Sequence, residues 1–145
     1  MADLIFRPAT REDFPAIREL IHTVGINPTG LDWRRFLLAV TGTGVLVGCG
    51  QIKPHKDGSR ELASIAVREE YRGRGVARAL ILRLLEGQPR PLYLMCRARL
   101  GSFYNQVGFR PIGLEEMPPY FRRIARLIRV FNRSVEGGLL VMRLD

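Results

Sequence analysis

Val67-Arg68-Glu69-Glu70-Tyr71-Arg72-Gly73-Arg74-Gly75-Val76-Ala77-Arg78 is the most informative stretch of the chain. A strand-like run, Glu61 to Val67, leads into it. Ala77, Leu80, Ile81, Leu84 and Leu85 follow at the spacing of one helix face, and Gly87 can end that helix. The segment is therefore a strand-to-helix turn. Gly73 and Gly75 let the backbone turn tightly and bring its N–H groups to bear on one point. Those groups open a helix, whose N-terminus attracts anions. Arg72, Arg74 and Arg78 add full positive charge, and a pyrophosphate suits such a nest. The segment lacks the third glycine of the dinucleotide fingerprint, and no Gly-Lys-Ser/Thr follows, so it is not a P-loop either. On spacing alone a phosphate site and a plain glycine-rich turn both remain open.

Working outward, Leu4 to Pro8 reads as a strand, and Thr10 with Asp13 caps an amphipathic helix over 11–23. Gly25 to Gly30 is a loop. Phe36 to Thr41, Val45 to Lys53 and Glu61 to Val67 read as strands of an antiparallel meander. The turns between them are Gly42-Thr43-Gly44 and Lys56-Asp57-Gly58-Ser59. The glycines of the second strand signal close approach or a bulge. Beyond the central helix, Leu92 to Cys96 is a buried strand, Leu100 to Val107 a helix stopped by Gly108, and Phe109 to Gly113 a strand. A helix over 120–132 and a strand from Leu139 to Leu144 complete the order β-α-β-β-β-α-β-α-β-α-β. There are no repeats and no linker, which predicts one domain over 1–145.

Composition narrows the class. A chain of 145 residues, 46% hydrophobic and 26% charged, can bury a core of its own. No apolar run approaches the roughly 20 residues of a membrane span, and the N-terminus has no signal-peptide pattern. A cytoplasmic location is the expectation. Cys49 and Cys96 lie in apolar segments and read as reduced core residues. His22 and His55 stand isolated in the sequence, and no zinc spacing exists, so no metal is expected. The net charge is +9, and every basic residue except Lys53 and Lys56 is arginine. Such a balance suits an anionic partner without choosing one.

Arg72-x-x-Gly75-x-Ala77 resembles the Arg/Gln-x-x-Gly-x-Gly/Ala signature of the GNAT superfamily of acetyl-CoA-dependent N-acetyltransferases. Ser64 to Tyr71 is similar to that family's fourth strand and its acidic approach to the loop. Phe103-Tyr104-Asn105-Gln106-Val107-Gly108-Phe109 resembles its Phe-Tyr-x-x-x-Gly-Phe block. The likeness covers essentially the whole chain. It implies an α/β (α+β) fold: a mixed, mostly antiparallel sheet with splayed central strands, flanked by helices. It implies acetyl-CoA as cofactor. The N–H groups of Arg72, Gly73, Arg74, Gly75, Val76 and Ala77 would hold the pyrophosphate, and a Cβ at Gly75 would find no room. The backbone of Ile65, Ala66 and Val67 would hydrogen-bond the pantetheine arm. Where the family often has an Asn that contacts the cofactor, this chain has Arg97, a candidate for the same contact or for a CoA phosphate.

Acetyl transfer needs a neutral amine, a positioned thioester, a stabilised oxyanion and a protonated leaving thiolate. Positioning alone supplies about 7–11 kcal/mol of barrier reduction, so few catalytic side chains are required. Glu61, on the strand flanking the thioester in the resemblance, is the candidate general base. Its bland alternative is an exposed strand-start carboxylate paired with Arg60 or Lys53. Tyr104 is the candidate general acid, or a hydrogen-bond donor to the developing thiolate; its alternative is a packed helical Tyr. A backbone N–H near Ile65 or Ala66 would meet the oxyanion.

Near the C-terminus Phe121, Ile124, Ile128 and Phe131 share one helix face, and Arg122, Arg126, Arg129 and Arg133 line another. This basic face is open to three readings: a solvated surface, an acceptor-site wall favouring an acidic substrate, and a nucleic-acid or ribosome surface. The expected activity is acetyl transfer from acetyl-CoA to a primary amine on a small molecule or peptide, by direct attack in a ternary complex. The alternatives are a non-catalytic CoA-binding module and a basic nucleic-acid-associated protein. No membrane partner is expected, and a homodimer is compatible with the sequence.

Overall fold

The computed structural model describes residues 3–131 and 138–145. Its strands are β1 (Ile5–Pro8), β2 (Phe36–Val40), β3 (Leu46–Pro54), β4 (Arg60–Val67), β5 (Leu92–Arg97), β6 (Arg110–Pro111) and β7 (Leu139–Leu144). Its helices are α1 (Phe14–Val24), α2 (Val76–Leu85), α3 (Gly101–Gln106) and α4 (Pro119–Phe131). The hydrogen-bonded strand order is β1-β2-β3-β4-β5-β7-β6. Strands β4 and β5 run parallel, with the single register pair Glu61↔Tyr93 among the described residues. The pairs β1–β2, β2–β3, β5–β7 and β6–β7 are antiparallel. This is the mixed, mostly antiparallel sheet with flanking helices that the sequence predicts. No helix among the described residues is long and apolar enough to cross a membrane.

The chain forms two compact units, Met1–Lys53 with Leu62–Gln88, and Pro54–Glu61 with Pro89–Asp145. In the first, the period-two alternation of a strand sorts β2 between two faces. Phe36, Leu38 and Val40 join Cys49, Ala66 and the α1 residues Ile17, Leu20 and Ile21 in one cluster. Ala39 joins Val47, Val67 and the α2 residues Val76 and Leu80 in another. The glycines of β3 mark close approach: a Cβ on Gly50 would lie 2.5 Å from Ile65 Cδ1 and 2.9 Å from Leu84 Cδ1. The helix expected over 11–23 opens as a 3-10 turn, Arg11–Asp13, capped at Thr10, and α1 follows from Phe14. Asp13 accepts from the Thr10 N–H at 2.7 Å and pairs with the Arg7 guanidinium at 2.8 Å.

In the second unit α4 docks through Phe121, fully buried, onto Tyr93, Met117 and Val141. The strand expected over Phe109 to Gly113 shrinks to Arg110–Pro111. Phe109 belongs instead to the end of α3: its N–H donates to the Tyr104 carbonyl at 3.1 Å. Gly108 sits there at φ +105, the left-handed cap that only glycine adopts cheaply. At the other end, Gly113 precedes a 3-10 turn, Leu114–Glu116.

Candidate active site

The cofactor loop is built from both ends. At the close of β4, the Arg68 N–H donates to the Val47 carbonyl at 2.8 Å and its Nε to Leu46 at 2.5 Å. A 3-10 turn, Glu69–Tyr71, then redirects the chain. The Arg72 N–H donates to Glu69 at 3.2 Å and its guanidinium to the Val67 carbonyl at 3.2 Å. Arg72 thus braces the loop, and the donors at its mouth begin at Gly73. Gly73 and Gly75 stand at φ +76 and +80. Helix α2 makes its first helical bond from the Ala79 N–H to Gly75 at 3.0 Å, so the N–H groups of Val76, Ala77 and Arg78 have no helical acceptor. The Arg74 guanidinium lies 5.2 Å from the centroid of the Tyr71 ring. An ideal Cβ on either glycine meets nothing within 4 Å. This corrects the expectation at Gly75: the constraint is its left-handed backbone, not lack of room. Open space, unspent N–H donors and arginine charge fit a pyrophosphate.

Upstream on β4, Ile65 is half-buried while Ala66 and Val67 are buried. Ser64 has φ +60, the one non-glycine residue in that region among those described. Its hydroxyl accepts from Gln51 Nε2 at 2.8 Å and its carbonyl from Cys49 Sγ at 3.5 Å. Both cysteines are free and buried, and desolvation pushes the thiols up, to about 12 at Cys49 and about 11 at Cys96.

Glu61 is 6% exposed, so it is not the surface carboxylate of the bland alternative. Its Oε1 lies 2.8 Å from His55 Nε2. A carboxylate in its ionised form only accepts, so toward such a partner Nε2 would be the donor. The His55 ring stacks on Tyr120, centroids 3.6 Å apart and planes 17° apart, and meets Phe121 edge-on at 5.6 Å. The Tyr120 N–H donates to Asp57 at 2.9 Å. Nothing in the residue types marks His55 from the sequence, where it stands isolated. The hairpin signal at Asp57-Gly58 held the clue. It pairs the His55 N–H with the Ser59 carbonyl at 2.9 Å, which makes Glu61, two residues on, a diagonal cross-strand neighbour.

Tyr104 lies in α3, half-buried, edge-on to Phe103 at 5.0 Å and Phe109 at 6.3 Å. Burial, with the Cys96 thiol second, pushes its phenol up to about 12. Arg97 is exposed at the end of β5. On α4, Arg122 turns inward, donating to the Leu114 and Met117 carbonyls at 3.3 and 2.8 Å. Arg123 and Arg126 stay exposed beside a surface groove of about 420 Å³. The side chains of Arg129 and Phe131, and Arg133, lie outside the described residues. Among the described residues no cluster of His, Cys, Asp or Glu could hold a metal ion.

The fold recurs in solved proteins. N-acetylglutamate synthase from Neisseria gonorrhoeae, solved with coenzyme A and N-acetyl-glutamate, superposes with a TM-score of 0.75 at 21% identity. That match covers 100% of this chain but only 36% of the synthase, so the chain spans about a third of that protein. Rv2747 from Mycobacterium tuberculosis, solved in complex with CoA and NLQ, gives 0.73 at 23% identity over 97% of this chain and 98% of its own. Escherichia coli ElaA gives 0.70 at 19% identity, over 100% of both chains. No curated protein sequence matches the chain. The sequence profile of the acetyltransferase (GNAT) domain matches residues 32–111, more than half of the chain and the whole span from β2 through the glycine loop to β6. The chain belongs to the GNAT family of acetyltransferases.

Proposed function

We propose that this chain, acting as one domain over 1–145, moves the acetyl group of acetyl-CoA to a primary amine by direct attack in a ternary complex. The observation that carries the reading is the glycine loop: two left-handed glycines, unspent N–H donors and flanking arginines at the start of α2. The N–H groups from Gly73 to Ala77, with Arg72 bracing the turn, bind the pyrophosphate. Arg97 takes a CoA phosphate. The backbone of Ile65, Ala66 and Val67 holds the pantetheine arm. Glu61 accepts a proton from the acceptor's ammonium. A backbone N–H at Ile65 or Ala66 meets the carbonyl oxygen as charge develops there. The Tyr104 hydroxyl donates a hydrogen bond to the departing sulfur. With its phenol at about 12 and a thiol near 8.5, complete proton transfer costs on the order of 5 kcal/mol, so donation without transfer is the role that fits.

The acceptor is a small-molecule or peptide amine. The N-acetyl-glutamate in the Neisseria synthase structure puts α-amino acids first among those to try. The reaction is placed in the cytoplasm, a reducing compartment that suits two free thiols. Turnover of acetyl-CoA against an amine panel, with calorimetry on Gly75→Asp, tests the reading. The aspartate sets a carboxylate against the pyrophosphate and strains a left-handed backbone, so acetyl-CoA affinity falls roughly tenfold or more. Unchanged affinity removes the loop assignment. Tight CoA binding without turnover of any amine makes the chain a silent CoA-binding module instead.

A further inference from the structure

Helix α4 follows β6, and its first turn does more than pack. Tyr120 and Phe121 enclose the imidazole of His55 on one face and one edge. Phe121 rests in turn against Tyr93, with centroids 5.3 Å apart. The Tyr120 N–H is tied to Asp57, whose other carboxylate oxygen accepts from the Ser59 N–H at 2.8 Å and from its hydroxyl at 2.5 Å. The start of α4 is thus tied to the hairpin turn that carries His55 and covers the imidazole on one face and one edge. His55 and Glu61 keep only 11% and 7% of their side-chain surface exposed. A buried carboxylate beside a buried imidazole is a costly arrangement unless the two are paired in fixed geometry.

We propose that His55 is the positioning residue of the proton-accepting pair. Its Nε2–H holds Oε1 of Glu61, the other carboxylate oxygen takes the proton, and the first turn of α4 holds His55 in place. The inference rests on the reading of Glu61 as the base. The proton leaves the ammonium nitrogen of the acceptor and ends on Oε2 of Glu61, the oxygen that does not face His55; the proton on Nε2 of His55 stays where it is. The titratable and charged groups around the imidazole are Glu61 from β4, Asp57 from the turn, and Tyr120 from α4 with Arg123 beyond it. Lys53 stands two residues upstream on β3.

Two substitutions separate the donor from the ring. His55→Phe keeps the stack on Tyr120 and Phe121 but removes the N–H. His55→Gln loses the ring but can still present an amide N–H to Glu61. Pairing stabilises the ionised carboxylate, so losing the donor moves the acidic limb of kcat/KM for the acceptor to higher pH. His55→Phe is therefore expected to lose roughly tenfold near pH 6.5 and to recover near pH 9, with the KM for acetyl-CoA unchanged. His55→Gln should track the unsubstituted enzyme more closely. Adding His55→Phe to Glu61→Gln should shift the profile no further. A His55→Phe profile superimposable on the unsubstituted one, with only the melting temperature lowered, reduces His55 to packing and overturns the proposal. Equal losses in His55→Gln and His55→Phe overturn it too, because the imidazole itself would then be needed as proton acceptor. If Glu61→Gln alone leaves the profile unchanged, the base reading fails first, and the failure is recognisable as such. One measurement is independent of folding in the variants. The chain has 2 histidines, so long-range 1H–15N spectra of the unsubstituted protein can resolve the His55 tautomer. A proton on Nε2 is the expected result, and a proton on Nδ1 alone overturns the assignment.

Discussion

Tyr104 shows how burial sets chemistry one side chain at a time. It sits half-buried on α3, and desolvation, with the Cys96 thiol second, pushes its phenol up to about 12. A raised phenol stays neutral as pH rises until that value is approached, so Tyr104 does not titrate across roughly pH 7–10. Tyr104→Phe should lower kcat roughly tenfold with little change in the KM for acetyl-CoA, since the hydrogen bond matters only as charge grows on sulfur. The loss should be the same throughout that pH range when chemistry limits the rate. Full turnover in the variant would make Tyr104 a packing residue. Ser64 is another position where one residue departs from its neighbours: φ +60 costs on the order of 1 kcal/mol for a non-glycine residue. It breaks the extended run of β4 just before Ile65 and Ala66, one of whose N–H groups meets the oxyanion under the proposed function.

Elements owe their placement to a few contacts that can be tested separately. The start of α1 depends on Asp13, held down to about 2 chiefly by the Arg7 guanidinium, with burial opposing and the Thr10 hydrogen bonds assisting. The folded value lies below the ordinary 3.8. This contribution is therefore present above about pH 4 and lost as pH falls through about 2. Discounted for partial exposure, it is worth on the order of 1–2 kcal/mol. Urea unfolding between about pH 5 and pH 2 should show Asp13→Asn less stable at the upper end and converging on the unsubstituted protein at the lower. Parallel curves would remove Asp13 from the acid response. Between β3 and α2 the decisive position is Gly50, where a Cβ would press on Ile65 and Leu84. Gly50→Ala should cost about 1–3 kcal/mol by overpacking, read as a drop in melting temperature. Gly58, whose added Cβ meets nothing within 4 Å, is the control that isolates backbone strain from overpacking.

At the scale of the whole molecule the dominant quantity is charge. A net +9 on 145 residues surrounds the chain with a field that draws polyanions in from solution. Under the proposed function CoA is such an anion. Its association rate, followed by stopped flow, should fall severalfold as salt rises from about 50 mM to about 500 mM, with the dissociation rate changing less. A salt-independent association rate would leave the arginines without a steering role. The Arg face of α4 divides under the same scrutiny. Arg122 is spent on the carbonyls of Leu114 and Met117, while Arg123 and Arg126 remain at the surface.

The order of strands and helices, the glycine turn, the cap at Thr10 and the Asp57-Gly58 hairpin were legible from the chain alone. Each is a local pattern: a period of two or 3.6, a glycine where φ must be positive, a carboxylate beside free N–H groups. The sequence offered Tyr104 as a candidate through its family block and Glu61 through its place on the fourth strand ahead of Ile65, but not their surroundings. Burial depends on what packs over a residue, and that comes from far along the chain. Tyr120 reaches Asp57 across 63 positions and lays its ring on His55. Phe109 looked like the start of a strand because it is apolar, yet its N–H closes α3. The hairpin sets His55 beside Glu61, but only the tertiary structure laid Tyr120 and Phe121 over that imidazole, since no local rule sees a contact made when a later helix folds back onto an earlier hairpin.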